Sequence, residues 1–216
     1  MDSIEICNLA LNMLGINSIV SFDEENNNNA ELCRTFFPVC RDRVLRDHAW
    51  SFASARFDLT ILAGVQSLDE ALPFVCAVPG DCIAVRELLN GIRFRCWGKR
   101  IMVESLPATL IYTRRVEDPS EFDVSFCEAL QYSLASEIGM SNTRSQALIQ
   151  SFKQEYERKL AVARSIDSRE NRYAYQKRQR NSSFIASRSG NVSDAVRDCC
   201  GSAIRWVEGN AGKQVQ

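Results

Sequence analysis

The chain has 216 residues, 45% hydrophobic and 25% charged, with a formal net charge of −1. That length can bury the core of one domain or two small ones, and near-neutrality supplies no overall steering toward nucleic acid or membranes. No apolar run approaches about 18 residues, the length of a bilayer-spanning helix, and the acidic start MDSIEICNLAL lacks the basic n-region of a signal peptide.

Asp2 with Glu5 three residues on predicts a capping box at the start of a first helix. Ile4, Cys7, Leu11 and Leu14 form its inner stripe, widened by Ile6, Leu9, Ala10 and Met13, and Gly15 is the expected C-cap. Residues 17–29 read as a loop whose polar run Asn26 to Asn29 can cap a second helix over about Ala30 to Asp47. Cys33, Phe37, Cys40 and Val44 recur at helical spacing there. Pro38 lies inside that helix and predicts a kink near Arg34 to Phe37.

The period changes at His48-Ala49-Trp50. Ala53, Ala55, Phe57, Leu59 and Ile61 alternate with polar residues, so a strand is expected over 51–62. His48, Trp50 and Phe52 therefore read as a joint between a helical layer and a sheet layer. Gly64 to Leu72 is a loop and Phe74 to Val78 a short strand. Asp81 to Leu89 reads as a helical turn followed by a strand. Ile92 to Cys96, a Gly98-Lys99 turn and Arg100 to Glu104 read as a hairpin, and Thr109 to Val116 as the last strand.

Asp118, Pro119 and Glu121 carry the signature of a helix start. Phe122, Phe126, Ala129, Leu130, Ser133 and Leu134 mark its inner face, Gly139 its end, and Ser141 or Asn142 the next cap. The fourth helix has the stripe Ile149, Phe152, Tyr156, Leu160 and Ala163, with Glu155 and Lys159 as an outer i,i+4 pair. The expected fold is α+β: a four-helix bundle (residues 1–50 and 117–168) with a β-rich domain, 51–116, inserted between helices two and three. Residues 169–216 read as a basic, extended C-terminal arm.

No catalytic residue, metal site or cofactor is predicted. Nine cysteines, an odd number without a C-x2-C pair, read as buried free thiols of a reducing compartment. His48, the single histidine, reads as a polar helix-end residue rather than as the activator of a cysteine. Gly98-Lys99 is no phosphate loop, since Gly91 is too far upstream and Arg100 stands where Ser or Thr is needed. The segment 172–188 holds five basic residues, no acidic one, and three aromatics. Nucleic-acid binding through that segment is the alternative function.

Four blocks carry a resemblance: ALNMLGINSI, CRTFFPVCRDRVLRDHAWSFASARFDL, PFVCAVPGDCIAVREL and LIYTRRVEDPSEFDVSFCEALQYSLASEI, spanning about residues 4–168. They resemble the tail tubular protein A family, head-to-tail adaptors of tailed bacteriophages. The resemblance implies a structural virion protein and a helical bundle with a β-domain inserted. It implies a twelve-fold ring between portal protein and tail nozzle protein, with DNA passing through the channel without sequence-specific contacts. In such a ring, Arg34, Arg41 and Arg46 on helix two and Glu155, Glu157 and Arg158 on helix four are the expected neighbour contacts. Residues 169–216 match no motif of the family. On their own composition, Tyr173, Tyr175, Arg178, Arg180, Phe184, Arg188 and Trp206 are expected to dock on the portal or a neighbouring subunit.

Overall fold

Asp2 opens the first helix with the expected capping box: its carboxylate accepts the Ser3 N–H and the Glu5 carboxylate accepts the Asp2 N–H. In a computed structural model, which describes residues 1–142 and 145–171, this helix, α1, spans Ser3–Met13. Gly15 follows its end at φ +69°, the left-handed conformation that glycine adopts without a Cβ penalty. The loop beyond is pinned by the Asn8 side chain, which exchanges two 2.8 Å hydrogen bonds with the backbone of Ile19.

Asn27 caps α2, Asn28–Asp47, by accepting the Asn29 N–H at 3.0 Å. Pro38 does not break this helix, which runs on through 20 residues. Cys33, Phe37, Cys40 and Val44, on both sides of the proline, are all buried. Their packing offsets a local cost of about 3 kcal/mol.

The strands form two antiparallel sheets. One orders β1 (Ser54–Asp58), β6 (Thr109–Arg114) and β3 (Cys82–Leu88) as β1-β6-β3. The other orders β2 (Phe74–Ala77), β5 (Arg100–Val103) and β4 (Phe94–Trp97) as β2-β5-β4. Leu59, Leu88, Leu110 and Tyr112 share a core with Cys76, Ile101 and Val103 of the second sheet. Met102, between those last two, faces the opposite way into a small cluster with Leu72 and Val75, the two-residue alternation of a strand.

The first strand is shorter than the alternating pattern suggested. Ile61 makes only an isolated bridge to Cys76 and is 57% exposed. A single hydrogen-bonded turn, closed by Cys82 N–H on the Pro79 carbonyl at 3.1 Å, precedes β3. A 3-10 turn, Leu89–Gly91, follows the strand, with Asn90 at φ 65°.

The third helix also begins and ends elsewhere than expected. Asp118 caps only a 3-10 turn, Pro119–Glu121. Phe122 is extended (ψ 136°) and packs on Phe52 and Phe126, which interrupts the helical path. α3 therefore starts at Val124, where Asp123 accepts the Ser125 N–H at 2.7 Å. It continues past Gly139 to Asn142, because burial of Ile138 and Gly139 holds the turn that glycine alone disfavours by about 1 kcal/mol. The next cap is Ser145 rather than Ser141 or Asn142: its hydroxyl accepts the Leu148 N–H, and α4 spans Gln146–Glu170.

The fold is mixed α and β, and the described residues form four helices and two small antiparallel sheets. One hydrophobic core takes residues from every helix, among them Ile6, Leu11, Val44, Leu45, Phe126, Leu134, Phe152 and Leu160. Met1–Asp167 make one compact unit. Of the second, Ser168–Gln216, the described residues are the end of α4 and Asn171.

Candidate functional site at the end of the second helix

A densely bonded polar cluster lies where α2 gives way to β1. His48 closes α2 in an extended conformation, φ −144° and ψ 157°, and the chain turns inward at Trp50, which is 1% exposed. The indole Nε1–H donates to the Val44 carbonyl at 2.8 Å, so the buried ring keeps its one donor satisfied. Its ring meets Phe126 edge-on at 5.2 Å and His48 edge-on at 4.9 Å, and Phe52 adds a third contact at 6.1 Å.

Asp167, near the end of α4, binds this turn. Its Oδ1 accepts the Ser51 N–H at 2.9 Å and the Ser51 hydroxyl, and its Oδ2 lies 2.9 Å from His48 Nε2. The carboxylate sits between serine and histidine. The hydroxyl proton is therefore directed at a carboxylate rather than at an imidazole, and the trio works as a clasp.

Arginines satisfy the carbonyls that a helix end leaves open. Arg86 of β3 spans the junction: Nε donates to Thr113 Oγ1 at 2.7 Å, and Nη2 reaches the carbonyls of Leu45, Arg46 and His48. Arg164 of α4 donates to the Asp47 carbonyl at 2.8 Å, and Arg46 to the Ile83 carbonyl of β3 at 3.0 Å. Tyr156 donates to Asp47 Oδ2 at 2.6 Å. Burial, then nearby Arg46, push the Arg86 guanidinium down, and burial pushes the Tyr156 phenol up. α2, α4, β3, β6 and the turn that leads into β1 thus meet at one bonded node, which can carry load between helices and sheet without a flexible linker.

Of the expected joint residues, His48, Trp50 and Phe52 do meet here. Arg86, Arg164 and Asp167 were missed. Asp167 had a signal available: it continues the buried series Phe152, Leu160 and Ala163 at helical spacing, and a carboxylate on an apolar stripe needs a buried partner.

The expected ring contacts divide. Arg41 is buried, 7% exposed, and pairs with Asp42 at 2.9 Å, so it is not an outer-face residue. Asp42 holds it there while also pairing with Arg115. Arg34, Arg46, Glu157 and Arg158 are exposed and Glu155 is half-buried. Arg46 already serves Ile83, and Arg34 lines an open cavity of about 570 Å³ with Phe22, Glu24 and Glu31. Glu155 pairs with Arg158 at 2.8 Å, not with Lys159, which reaches across to Glu128 of α3 at 2.8 Å. Tyr173, Tyr175, Arg178, Arg180, Phe184, Arg188 and Trp206 lie outside the described residues.

Cys7, Cys33, Cys40, Cys76 and Cys127 are buried, while Cys82 is half-buried and Cys96 exposed. Burial pushes the thiols of Cys40, Cys82 and Cys127 up to about 11. The hydrogen bond with Cys33, and then burial, raise Cys7 as well. Such thiols stay protonated at neutral pH and act as small hydrophobes. Cys199 and Cys200 lie outside the described residues; of the other seven, a thiol reagent should label Cys96 first in the native protein and the five buried cysteines only on unfolding, and reductant should leave the melting temperature unchanged. A large loss of stability on reduction would contradict this.

Among the described residues no group of three or more histidine, cysteine, aspartate or glutamate side chains is placed to hold a metal ion. No described helix is long and apolar enough to cross a membrane. The chain matches no protein-family model and none of the curated proteins.

Proposed function

We propose that this chain is a structural virion protein, a head-to-tail adaptor whose copies form a twelve-fold ring between the portal protein and the tail nozzle protein. DNA crosses its central channel during ejection. In this reading α1 to α4 are a four-helix bundle, the six strands are a domain inserted between α2 and α3, and the chain performs no catalysis. It belongs to the virion at the head–tail junction, after assembly in the host cytoplasm.

One observation carries most of the weight. Trp50 and Ala53, where the chain leaves the helices, and Val116 and Phe122, where it returns, all belong to the same buried core as the four helices. Both ends of the β-rich stretch thus pack into the core that holds the helices, which supports the reading of an inserted domain. The node around His48 and Asp167 adds a stiff connection at the first crossing. A ring part that holds its shape while DNA passes needs such a connection.

Light scattering on the purified chain, alone and mixed with portal rings, tests the proposal. A ring-sized assembly in the mixture supports it, and a single-copy mass under both conditions overturns it. Deleting residues 181–216 should leave the melting temperature nearly unchanged and weaken portal attachment. A truncated chain that attaches normally would remove the docking role from that segment. One that loses salt-dependent DNA affinity instead would favour the nucleic-acid-binding alternative.

A further inference from the structure

The hairpin formed by β4 and β5 carries four cations: Arg93, Arg95, Lys99 and Arg100. Two are matched. Arg93 makes a two-pronged pair with Glu104 at 2.8 and 2.9 Å, and Arg95 lies 3.7 Å from Asp69. Lys99 and Arg100, at the tip, are exposed, and among the described residues neither has a carboxylate in ion-pair range.

The tip is also stiff. Trp97 pairs directly with Arg100 across the ladder, and Gly98 at φ +59° makes the tight turn between the strands. The Trp97 ring packs against the cluster of Leu72, Val75 and Met102. The Arg100 guanidinium lies over that ring, 5.5 Å from its centroid. Arg95, Trp97 and Arg100 share one face of the hairpin, since strand residues alternate and directly opposed residues point the same way. A solvated basic turn needs neither a seated indole nor a guanidinium held over it.

We propose that this hairpin tip is a contact for the phosphate backbone of DNA, with Lys99 and Arg100 as the phosphate-binding side chains and Trp97 as the residue that positions Arg100. A two-stranded ribbon is narrow enough for the major groove of B-form DNA, about 12 Å wide. Two unpaired cations give a weak contact without sequence preference, releasing about 0.9 counterion for each phosphate met. Such a contact guides DNA without gripping it. The inference rests on the adaptor reading for the source of the DNA, but its test does not need a ring.

The test uses the full chain and a short fluorescein-labelled DNA duplex, followed by fluorescence anisotropy over a series of NaCl concentrations. The double variant Lys99→Ala/Arg100→Ala is compared with the wild type and with Arg56→Ala/Lys153→Ala, which removes two exposed cations elsewhere. The hairpin variant should flatten the slope of log K against log salt by about 2 and weaken binding at low salt about tenfold. The control pair should leave the slope unchanged. Equal slopes for wild type and hairpin variant overturn the proposal, as does an equal loss in the control pair or a wild type that does not bind the duplex. Displacement of the duplex by polyglutamate at equal charge would make an acidic protein the occupant and overturn DNA. Light scattering on the same samples separates the two readings. A hairpin effect in single-copy protein leaves this inference standing and counts against the ring, whereas rings with an unchanged slope count against the hairpin alone.

Discussion

Replacing Trp50 with alanine is expected to cost about 3–5 kcal/mol of folding stability, the range for large aromatic truncations in a core. The indole is 1% exposed, touches Phe126, Phe52 and His48, and spends its only donor on the Val44 carbonyl. Alanine leaves a cavity at the point where the chain crosses from helix to sheet, lined by Phe126, Phe52 and His48. Urea denaturation with circular dichroism reads the change directly. A shift in midpoint near zero would contradict a packed, bonded indole at the joint. Phe at this position should recover much of the packing but not the bond to Val44.

The second large effect is expected at Asp167. Changing it to alanine removes the acceptor for the Ser51 N–H, the Ser51 hydroxyl and His48 Nε2 together. Those groups are part-buried, so the lost bonds are only partly replaced by water. The expected cost is about 2–4 kcal/mol, as for other breaks in a buried charged network. Asp167→Asn keeps an acceptor for Ser51 and should cost less. In hydrogen exchange, the Ser51 amide should lose protection in the alanine variant before the core of α3 does. Unchanged exchange at Ser51 would show that the clasp does not hold the turn closed.

Much of this architecture is legible in the sequence, and what is not has definite causes. The capping box at Asp2, the buried series through Cys33, Phe37, Cys40 and Val44, and the hairpin around Gly98 depend on interactions within a few residues, and there pattern and structure agree. The start of α3 was misplaced because Asp118-Pro119 caps a helix in most contexts, whereas here the burial of Phe122 against Phe52 and Phe126 forces an extended residue into the path. Propensity yielded to a tertiary contact that no local window contains. At Pro38, packing of Cys33, Phe37, Cys40 and Val44 on both sides carries the helix through the proline.

At the joint the legible part is the aromatic one. A change of period marked His48, Trp50 and Phe52, but the residues that bind the turn come from far along the chain. Asp167 is 116 positions beyond Ser51, and Arg86 is 38 beyond His48. Nothing local to Arg86 in its strand marks it as a cap. Only the nearness of the α2 terminus to β3 makes it a cap for three carbonyls. Arg41 misled in the opposite sense: a charged residue off the apolar stripe was expected outside, and its pairing with Asp42 allows it to be buried.

The claim that these features serve a ring is tested most directly by electron microscopy of the full chain bound to portal rings, with class averages viewed down the symmetry axis. The account predicts an added layer with twelve-fold symmetry, an open central channel, and one copy of the chain per repeat. Averages in which the portal ring carries no added layer, or in which the chain appears only as separate single copies or pairs, would contradict it.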